Sequence, residues 1–357
     1  MKKKETKRSQ ITLEDIARKL RVTKVTVSKA LRDHPDISAE TSKKIKKVAR
    51  EMGYSPNFWA RNLSSNRSNS IGVVVPKIAH FFFSSVIEGI YEAAYQSNYE
   101  VILTVSQESA ELERRHIATL LSMRVDGLII SLSQETRDFS IFTSLQGKGV
   151  PVTFMDRVPD KIKGFNTVVG DDFGGCKAAT EHAISIGYRK IAHLAGFLHT
   201  NIGRDRYKGY ESAMKENGIA IRKEWVVYGG FGEADGARGL KKLIESGGLP
   251  ECIIAVTFPV AFGIYRAADE LGLKIPDDID LICFGNSGVS QFLAPPMSYV
   301  DQPTHELGRR AVELTVQNIQ QRQSFVPQSI KLPTKLVLCK TCTKKIATGK
   351  KMDAVRK

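Results

Sequence analysis

Residues 12–28 read TLEDIARKLRVTKVTVS and predict two short helices joined by a tight turn. Thr12 is a typical helix N-cap, and Asp15 follows three residues later, where it can complete a capping box. The apolar side chains of this first helix repeat with the spacing of a single helix face: Leu13, Ile16, Ala17 and Leu20. A second helix is predicted to start at Thr23, so the segment has the pattern of a helix-turn-helix.

The second predicted helix has two faces of different character. At about 100° per residue, three apolar side chains share one side: Val27, Ala30 and Leu31. The opposite side carries Lys24, Val25, Ser28, Lys29 and Arg32. We therefore expect the first side to pack inside a small domain and the second side to meet a partner.

A third helix is predicted from an N-cap at Ser38 to a stop at Gly53. Its buried side is expected to hold Ile45, Val48, Ala49 and Met52. Its exposed side is strongly basic and carries Lys43, Lys44, Lys46, Lys47 and Arg50.

The net charge of +15 is concentrated at the two ends of the chain. Residues 1–69 contain 18 Lys and Arg against 7 Asp and Glu, residues 343–357 contain 6 against 1, and the remainder is almost neutral. This distribution fits a phosphate-binding module, because Lys and Arg displace the counterions of a polyanion. No apolar run is long enough for a transmembrane helix, and no signal-peptide core follows the basic N-terminus, so we predict a cytoplasmic protein without a membrane partner.

The five cysteines are an odd set and do not form a disulfide framework. Cys339 and Cys342 make a lone C-x-x-C without a second pair of metal ligands. We interpret this spacing as incidental near a flexible end, rather than as a redox or metal site. The sequence thus predicts no cofactor and no metal.

From residue 70 onward, short apolar runs alternate with helical stretches. The run Ile71–Val75 precedes a helix-like stretch from Phe83 to Tyr95, and further runs occupy 101–103, 128–130, 152–154, 191–194, 225–228, 253–256 and 281–284. Strands that alternate with helices predict a largely parallel α/β sheet. The 273 residues from 70 to 342 exceed a typical single core, so two α/β lobes are expected, with a ligand site between them.

Several separate blocks of the sequence resemble the lactose-repressor (LacI/GalR) family of bacterial transcription regulators, over about residues 11–342. They include Asp15-Ile16-Ala17, Val22-Thr23, Thr26-Val27-Ser28, Gly53-Tyr54-Ser55-Pro56-Asn57, Ala60-Arg61-Asn62-Leu63, Val125-Asp126-Gly127-Leu128, Met155-Asp156-Arg157, Gln302-Pro303 and Glu306-Leu307-Gly308-Arg309-Arg310-Ala311. A helix-turn-helix alone would be a much weaker signal.

The resemblance implies an α/β protein with a separate DNA-binding domain. We expect a basic arm at 1–10, a three-helix helix-turn-helix domain at 11–55, a hinge helix and linker at 56–69, a two-lobed periplasmic-binding-protein-like domain for effector binding and dimerisation at 70–342, and a basic disordered tail at 343–357. The implied partners are a pseudo-palindromic operator in double-stranded DNA and a small-molecule effector. Nothing after Cys342 resembles the leucine-rich heptads of tetrameric members, so a homodimer is expected.

By the family pattern, Lys24, Val25 and Lys29 reach base edges in the major groove. A lysine can donate to guanine O6 or N7, and a valine can contact a thymine methyl group. Contacts to phosphate, which position the protein without reading sequence, are expected from Thr12, Thr23, Thr26 and Ser28. The two lysines could alternatively be solvated helix residues. Arg21 stands where the family turn usually has glycine, at the cost of some strain if that backbone is left-handed.

The hinge segment carries a second expected DNA contact. The family inserts a leucine from each subunit into the minor groove, and Leu63 occupies that position, with Asn57 and Ala60 on the same segment. An apolar wedge unstacks one base step and kinks the duplex. The alternative is a linker leucine that packs on the effector domain. Phe58 and Trp59 are bulkier than the residues common there, and their role stays open.

The resemblance also places an effector pocket between the two lobes. The matching residues are Phe83, Asp156, Asp171, Arg206 and Phe231, a set that suits a polar, ring-shaped ligand. Asp156 and Asp171 could instead be structural helix caps, and Arg206 could instead bridge the lobes through an ion pair.

The pocket pattern is broken at three places. Thr257-Phe258 replaces an Asn-Asp pair common in sugar-binding members, Gly285 replaces an Asp, and His80-Phe81 replaces an Asn-Pro. Two carboxylates that would hold sugar hydroxyls are therefore missing. We expect a carbohydrate-derived effector other than a plain hexose, such as an oligosaccharide or a modified or acidic sugar, or else a different metabolite.

Enzyme motifs are weak in this chain. In Gly230-Phe231-Gly232-Glu233-Ala234-Asp235-Gly236, the third glycine is one residue late for a dinucleotide fingerprint, and the zinc-protease and phosphate-loop motifs are missing. We therefore predict a regulator without catalytic residues, most simply a repressor. The alternative is a DNA-binding regulator that is controlled by a protein partner or is insensitive to ligands.

Overall fold

The computed structural model describes residues 11–54, 68–79, 81–285, 288, 290–321 and 324–343. The chain divides into two compact units between Ser68 and Asn69. The predicted basic arm, the hinge residues Asn57, Ala60 and Leu63, the neighbouring Phe58 and Trp59, and the tail from 344 onward lie outside the described residues.

Within its described residues, the first unit contains three helices, α1 (Leu13–Leu20), α2 (Lys24–Leu31) and α3 (Ala39–Glu51). The predicted capping box is confirmed: the Asp15 backbone N–H donates to Thr12 Oγ1 over 3.3 Å, and the Thr12 N–H donates to the Asp15 carboxylate over 2.9 Å. Arg21 ends α1 with φ +52°, so the turn does use a left-handed backbone without glycine.

The core of this unit is small and apolar. Its fully buried side chains are Ile16, Ala17, Val27, Ala30, Ile45 and Ala49. Val48 and Met52, which the helical pattern also assigns to the buried side, are only partly buried. The opposition of faces predicted for α2 is confirmed, because Val27 and Ala30 are buried while Lys24 and Val25 are exposed.

The second unit contains two six-stranded sheets. The first sheet has the order β11-β5-β4-β3-β1-β2, and the second has the order β12-β10-β9-β8-β6-β7. All strand pairs are parallel except that of β10 with β12. The strands are β1 (Ser70–Val75), β2 (Glu100–Val105), β3 (Gly127–Ile130), β4 (Val152–Met155), β5 (Asn166–Gly170), β6 (Ile191–Gly196), β7 (Val226–Tyr228), β8 (Cys252–Ala255), β9 (Asp280–Phe284), β10 (Ser298–Asp301), β11 (Ser329–Leu332) and β12 (Lys335–Val337).

Helices cover both sheets and complete the two lobes that the sequence predicts. The remaining helices are α4 (Phe81–Gln96), α5 (Ala110–Ser122), α6 (Ser140–Gly147), α7 (Asp172–Ser185), α8 (Asn201–Glu216), α9 (Glu233–Gly247), α10 (Phe258–Glu270) and α11 (Thr304–Gln320). The first lobe has buried apolar clusters around β1 and β3, and the second has clusters around β8 and β9. None of the helices within the described ranges is long and apolar enough to cross a bilayer.

The chain passes between the lobes three times. It leaves the first sheet after β5, returns between β10 and α11, and leaves again between β11 and β12. Parallel strands direct their carboxyl ends to one edge of each sheet, and the loops that follow them meet at the space between the lobes.

Candidate functional site

The start of α2 is held by local hydrogen bonds. The Thr26 N–H donates to Thr23 Oγ1 over 3.0 Å, so Thr23 is the N-cap, and the two hydroxyl oxygens lie 2.8 Å apart. The cap fixes the first turn of the helix, and Val25 in that turn is 63% exposed. An exposed valine at a fixed helix start can contact an apolar group on a partner.

The two lysines of α2 that are predicted to contact bases differ in exposure and in ion pairing. Lys24 is exposed, whereas Lys29 is half-buried and its Nζ lies 2.5 Å from the carboxylate of Asp36. The Ser28 hydroxyl accepts from Arg32 over 3.1 Å. Lys24 is therefore ready to bind, while Lys29 must first exchange its carboxylate partner.

The basic surface predicted on α3 is present. Lys43, Lys44, Lys47 and Arg50 are exposed, whereas Lys46 lies 2.5 Å from Asp33 and is half-buried. Most of these charges have no nearby carboxylate that would neutralise them, so this surface suits a polyanion.

Within the second unit, a cavity of about 400 Å³ lies between the two lobes. The first lobe supplies Lys77, Phe81, Phe82, Phe83, Asp156 and Arg157, and the second lobe supplies Ile202, Arg206, Phe231, Glu233, Thr257, Phe258, Phe262, Phe284 and Gly285. The structure therefore brings together four of the five residues predicted for the effector pocket: Phe83, Asp156, Arg206 and Phe231.

Asp171 is not among the lining residues. Its carboxylate caps α7, accepting from the Gly174 N–H over 3.2 Å, and also lies 3.7 Å from Lys331 Nζ. The structural-cap alternative therefore describes its position. A capping carboxylate and a ligand-binding carboxylate both follow a parallel strand, so the sequence does not separate them.

Arg206 lies at the bottom of the cavity and is only 2% exposed. Its Nε donates to Asp172 Oδ1 over 2.7 Å, it also donates to the Val256 carbonyl, and its guanidinium stacks 4.0 Å from the centre of the Phe284 ring. These contacts all lie within the second lobe, so Arg206 is a buried ion-pair residue of the wall rather than a bridge between lobes.

Asp156 also lines the cavity but sits in a less polar environment. Burial raises the pKa of its carboxyl to about 6, although Arg157 and Arg206 act in the opposite direction. The Ser131 hydroxyl donates to it over 3.3 Å, and its backbone has φ +58°. Because the Asn201 amide donates to the Asp156 carbonyl over 2.8 Å, this residue also joins the two lobes.

Three groups on the wall were not singled out by sequence reasoning. Arg157 pairs with Glu108 over 2.7 Å and covers the Phe231 ring at 4.8 Å, and Glu233 pairs with Arg266. Lys77 is half-buried and forms no ion pair with another described residue. Arg157 belongs to the Met155-Asp156-Arg157 block that resembles the family, so that block could have identified it as a residue of the site.

The positions where the family pattern breaks do face this cavity. Phe258 and Gly285 line it, and Thr257 caps α10 while donating its hydroxyl proton to the Phe231 carbonyl over 2.9 Å. An aromatic ring, that of Phe258, thus replaces one missing carboxylate, and Gly285 leaves the position of the other without a side chain.

The cysteines do not form a metal site in the part of the chain that the structure describes, where no cluster of three metal-binding side chains occurs. All five are free thiols. Cys342 is buried with its Sγ 3.4 Å from that of Cys252, so its neighbour is a residue of β8 rather than Cys339.

Two family profiles match the chain. One, described as bacterial regulatory proteins of the lacI family, matches residues 12–57. The other, described as periplasmic binding proteins and sugar binding domain of LacI family, matches residues 68–341.

Relatives and solved structures agree with these matches. The HTH-type transcriptional repressor PurR of Pasteurella multocida is 31% identical, covering 87% of this chain and 92% of that protein. The PurR of Haemophilus influenzae strain PittEE is also 31% identical, covering 89% of this chain and 94% of that protein. The structure of the lac repressor dimer bound to operator and the anti-inducer ONPF superposes with a TM-score of 0.82 at 26% identity. The match covers 94% of this chain and 99% of that chain. The complex of the regulator CelR with cellobiose superposes with a TM-score of 0.71 at 26% identity, covering 92% of this chain and 99% of that chain.

Proposed function

The chain belongs to the LacI family of bacterial regulatory proteins, and from this we propose a homodimeric repressor whose effector is an acidic, carbohydrate-derived molecule. It is a DNA-binding transcription regulator controlled by a small molecule, as LacI-family repressors are. The lac repressor structure is a dimer on its operator, which supports the proposed dimer. Because an operator lies on bacterial DNA, we place the protein in the cytoplasm and assign it no catalytic role.

For operator reading we propose Lys24 and Val25 as the primary base contacts, with Lys29 joining after it leaves Asp36. Support comes from the exposure of Lys24 and Val25 on the face of α2 opposite its buried residues. Thr12, Thr23, Thr26 and Ser28 are proposed as phosphate contacts. Thr12 and Thr23 cap helix starts and Thr26 lies in the first turn of α2, where backbone N–H groups favour an anion, and Ser28 lies one turn after Lys24 on the same face of α2.

In the hinge, the proposed minor-groove contacts are Asn57, Ala60 and Leu63, and they rest on the family resemblance alone. The wedge is assigned to Leu63, because an apolar side chain can separate a base step without requiring a hydrogen bond.

The observation that carries the effector proposal is the composition of the cavity wall. Seven phenylalanines face a space of about 400 Å³, together with seven polar or charged side chains: Lys77, Asp156, Arg157, Arg206, Glu233, Thr257 and Gln302. Aromatic rings suit the apolar face of a sugar ring, and a few directed polar groups fix its orientation. A cavity of this kind favours a small-molecule effector over control by a protein partner.

Charge on the wall then favours an acidic ligand. Arg206 is paired with Asp172, Arg157 with Glu108, and Glu233 with Arg266. Lys77 and Asp156 have no such partner among the described residues, so a ligand carboxylate can pair with Lys77 while the ligand's hydroxyl groups face Asp156. The effector residues we propose are Phe83, Asp156, Arg206 and Phe231, with Lys77 added.

The test is a thermal-shift panel on the full-length protein. Glucuronate, galacturonate, cellobiose, glucose, galactose, ribose and a purine base are each added at millimolar concentration and at constant ionic strength. We expect a uronate to raise Tm, because a ligand stabilises the state it binds, and the neutral monosaccharides to have little effect. Lys77→Ala should remove the uronate shift.

Lys148→Ala is the matched control, since Lys148 is an exposed lysine of the same lobe that does not line the cavity. Its uronate shift should equal that of the wild type. Equal shifts with a plain hexose, or a shift with the purine base and none with any sugar, would overturn the proposed ligand class.

A further inference from the structure

A second, smaller cavity lies where the two lobes meet, at a distinct set of lining residues. Its volume is about 190 Å³, and only Arg157 is shared with the larger cavity. The first lobe contributes Leu132, Ser133, Thr136, Arg137, Phe139, Arg157, Val158, Asp160 and Lys161, and the second contributes His199, Thr200 and Asn201.

The charges on this cavity are unbalanced. Asp160 is an acidic residue of its wall, and it pairs with Arg204. Arg157 is likewise balanced by Glu108. The two other cations, Arg137 and Lys161, are exposed and form no ion pair within the described part of the chain. An anion placed here would meet two cations with no competing carboxylate partner.

Two further features favour an anion at the same place. Arg157 is only 4% exposed, and its Nε–H is buried without an acceptor among the described residues, so a ligand gains this donor when the guanidinium shifts toward the cavity. Thr200 is the N-cap of α8, a helix of 16 residues, and lines the cavity, so the positive end of that helix dipole faces the same space.

The cavity also lies beside direct contacts between the lobes. His199 Nε2 lies 2.6 Å from the Gln134 carbonyl oxygen, and the Val158 N–H donates to the Asn201 amide oxygen over 3.0 Å. A ligand held by Arg137 and Lys161 on one side and by the start of α8 on the other would stabilise this junction.

We propose that this cavity is a second regulatory site, for the phosphate group of a small phosphorylated metabolite or for inorganic phosphate itself. Arg, Lys and a helix N-terminus are the groups by which proteins hold phosphate, and the volume admits such a group. Since Arg157 lies on the walls of both cavities, occupation of one is coupled to the other through a shared side chain and a shared lobe arrangement.

The experiment titrates full-length protein with inorganic phosphate, with glycerol 3-phosphate and with citrate, against sodium chloride of equal ionic strength, and measures Tm and binding heat. We expect both phosphates to raise Tm and citrate to do so less. In the Arg137→Ala/Lys161→Ala double variant, phosphate should bind about tenfold more weakly or worse, because charge-assisted contacts are lost. Comparing the two phosphates distinguishes the free ion from the phosphorylated metabolite.

The control is the double variant Arg115→Ala/Lys163→Ala, which removes the same charge from exposed positions of the same lobe that do not line the cavity. It should keep the phosphate response. Because Arg137 and Lys161 are exposed, the Tm of their variant in chloride checks that it folds. No phosphate shift in the wild type, an equal shift with citrate, or an undiminished shift in the Arg137→Ala/Lys161→Ala variant would each overturn the proposal.

Discussion

Arg206 donates to Asp172 across 2.7 Å with both side chains almost completely buried, so the arginine beneath the effector cavity is balanced before a ligand arrives. Burial raises the pKa of the Asp172 carboxyl, against the effect of Arg206 beside it. Removing one partner of a buried ion pair destabilises the fold much more than replacing both partners with apolar residues of similar volume. Loss of effector binding in an Arg206 variant therefore shows a role of Arg206 in binding only if the stability of the variant is measured as well.

Arg206→Ala should lower the free energy of unfolding by about 3 to 5 kcal/mol, because it leaves the Asp172 carboxylate buried without its cation. The double variant Arg206→Met/Asp172→Leu should recover a large part of the loss. Urea unfolding followed by circular dichroism measures both. Arg204→Ala is the control, since Arg204 belongs to a more exposed ion pair and its removal should cost about 1 kcal/mol or less. A similar small loss for Arg206→Ala would contradict the buried-pair account.

Lys24→Ala should weaken operator binding by about 1 to 3 kcal/mol and relax the preference at one base of each half-site, if Lys24 contacts guanine. Selection from randomised duplexes, followed by anisotropy titrations, measures both effects. Lys47→Ala is the comparison on the basic surface of α3: it should reduce the salt dependence and weaken all sequences alike. Unchanged base preference in Lys24→Ala would remove Lys24 from the base contacts.

Leu63→Ala should reduce DNA bending as well as affinity, because a methyl group is too short to separate a base step. Resonance energy transfer between dyes at the two operator ends reports the bend. Leu63→Met keeps an apolar side chain of similar length and should bend the operator nearly as far. A full bend with Leu63→Ala would show that this leucine packs on protein instead of DNA.

The buried carboxyl of Glu113 should make the free energy of unfolding depend on pH. Burial raises its pKa to about 7, more than offsetting the hydrogen bonds from the Ser133 N–H and the Thr136 hydroxyl, while the nearby Glu108 charge raises it further. The folded state therefore binds more protons than the unfolded state between the ordinary pKa of 4.5 and about 7, and the stability contributed by this group falls as pH rises through that window.

The check compares the wild type with Glu113→Gln, which does not titrate, by denaturant unfolding from pH 5 to pH 8. The stability of the wild type relative to the variant should decline by about 2 to 3 kcal/mol over this range. Glu111→Gln, an exposed carboxylate on the same helix, should show no comparable trend. A difference that is flat or rises with pH would contradict the raised pKa.

Arg21→Gly should stabilise the three-helix unit by about 1 kcal/mol, because Arg21 holds a left-handed backbone that glycine adopts freely. Arg21→Ala keeps the backbone strain but removes the charge, so it should not gain this stability. If both variants lose the same DNA affinity, the arginine side chain contacts phosphate. Thermal unfolding and anisotropy at one salt concentration separate the two effects.

The parallel core of the fold is predictable because its strands are buried on both faces and read as continuous apolar runs. The four strands that were missed have weaker signals. In β5 and β10 burial alternates, so that Thr167, Val169 and Tyr299 are only half-buried. The strands β11 and β12 lie at sheet edges with mostly exposed or half-buried residues. Edge strands pack on fewer neighbours, and their composition therefore approaches that of loops.

The DNA-reading face follows from local sequence because helix caps and faces depend on residues a few positions apart. The ion pair between Lys29 and Asp36 was not predictable in this way, since the turn after α2 determines whether the two side chains meet. The same limit applies to the cavities. Asp171 resembles a ligand-binding carboxylate in sequence but caps a helix, and Arg137 and Lys161 of the first lobe share a cavity with Thr200 of the second lobe only when the lobes assemble.

The pairing of β5 with β11 has a consequence for how the protein is made. Residues 166–170 of β5 need residues 329–332 of β11 as their neighbour, and α11 packs on the same sheet. A ribosome must therefore synthesise the second lobe from β6 to β10 before the first sheet can complete its edge. Until then the β5 edge of the nascent chain is open to other strands, and such long-range pairing slows folding and favours aggregation. A premature stop before residue 329 would leave this edge permanently unpaired.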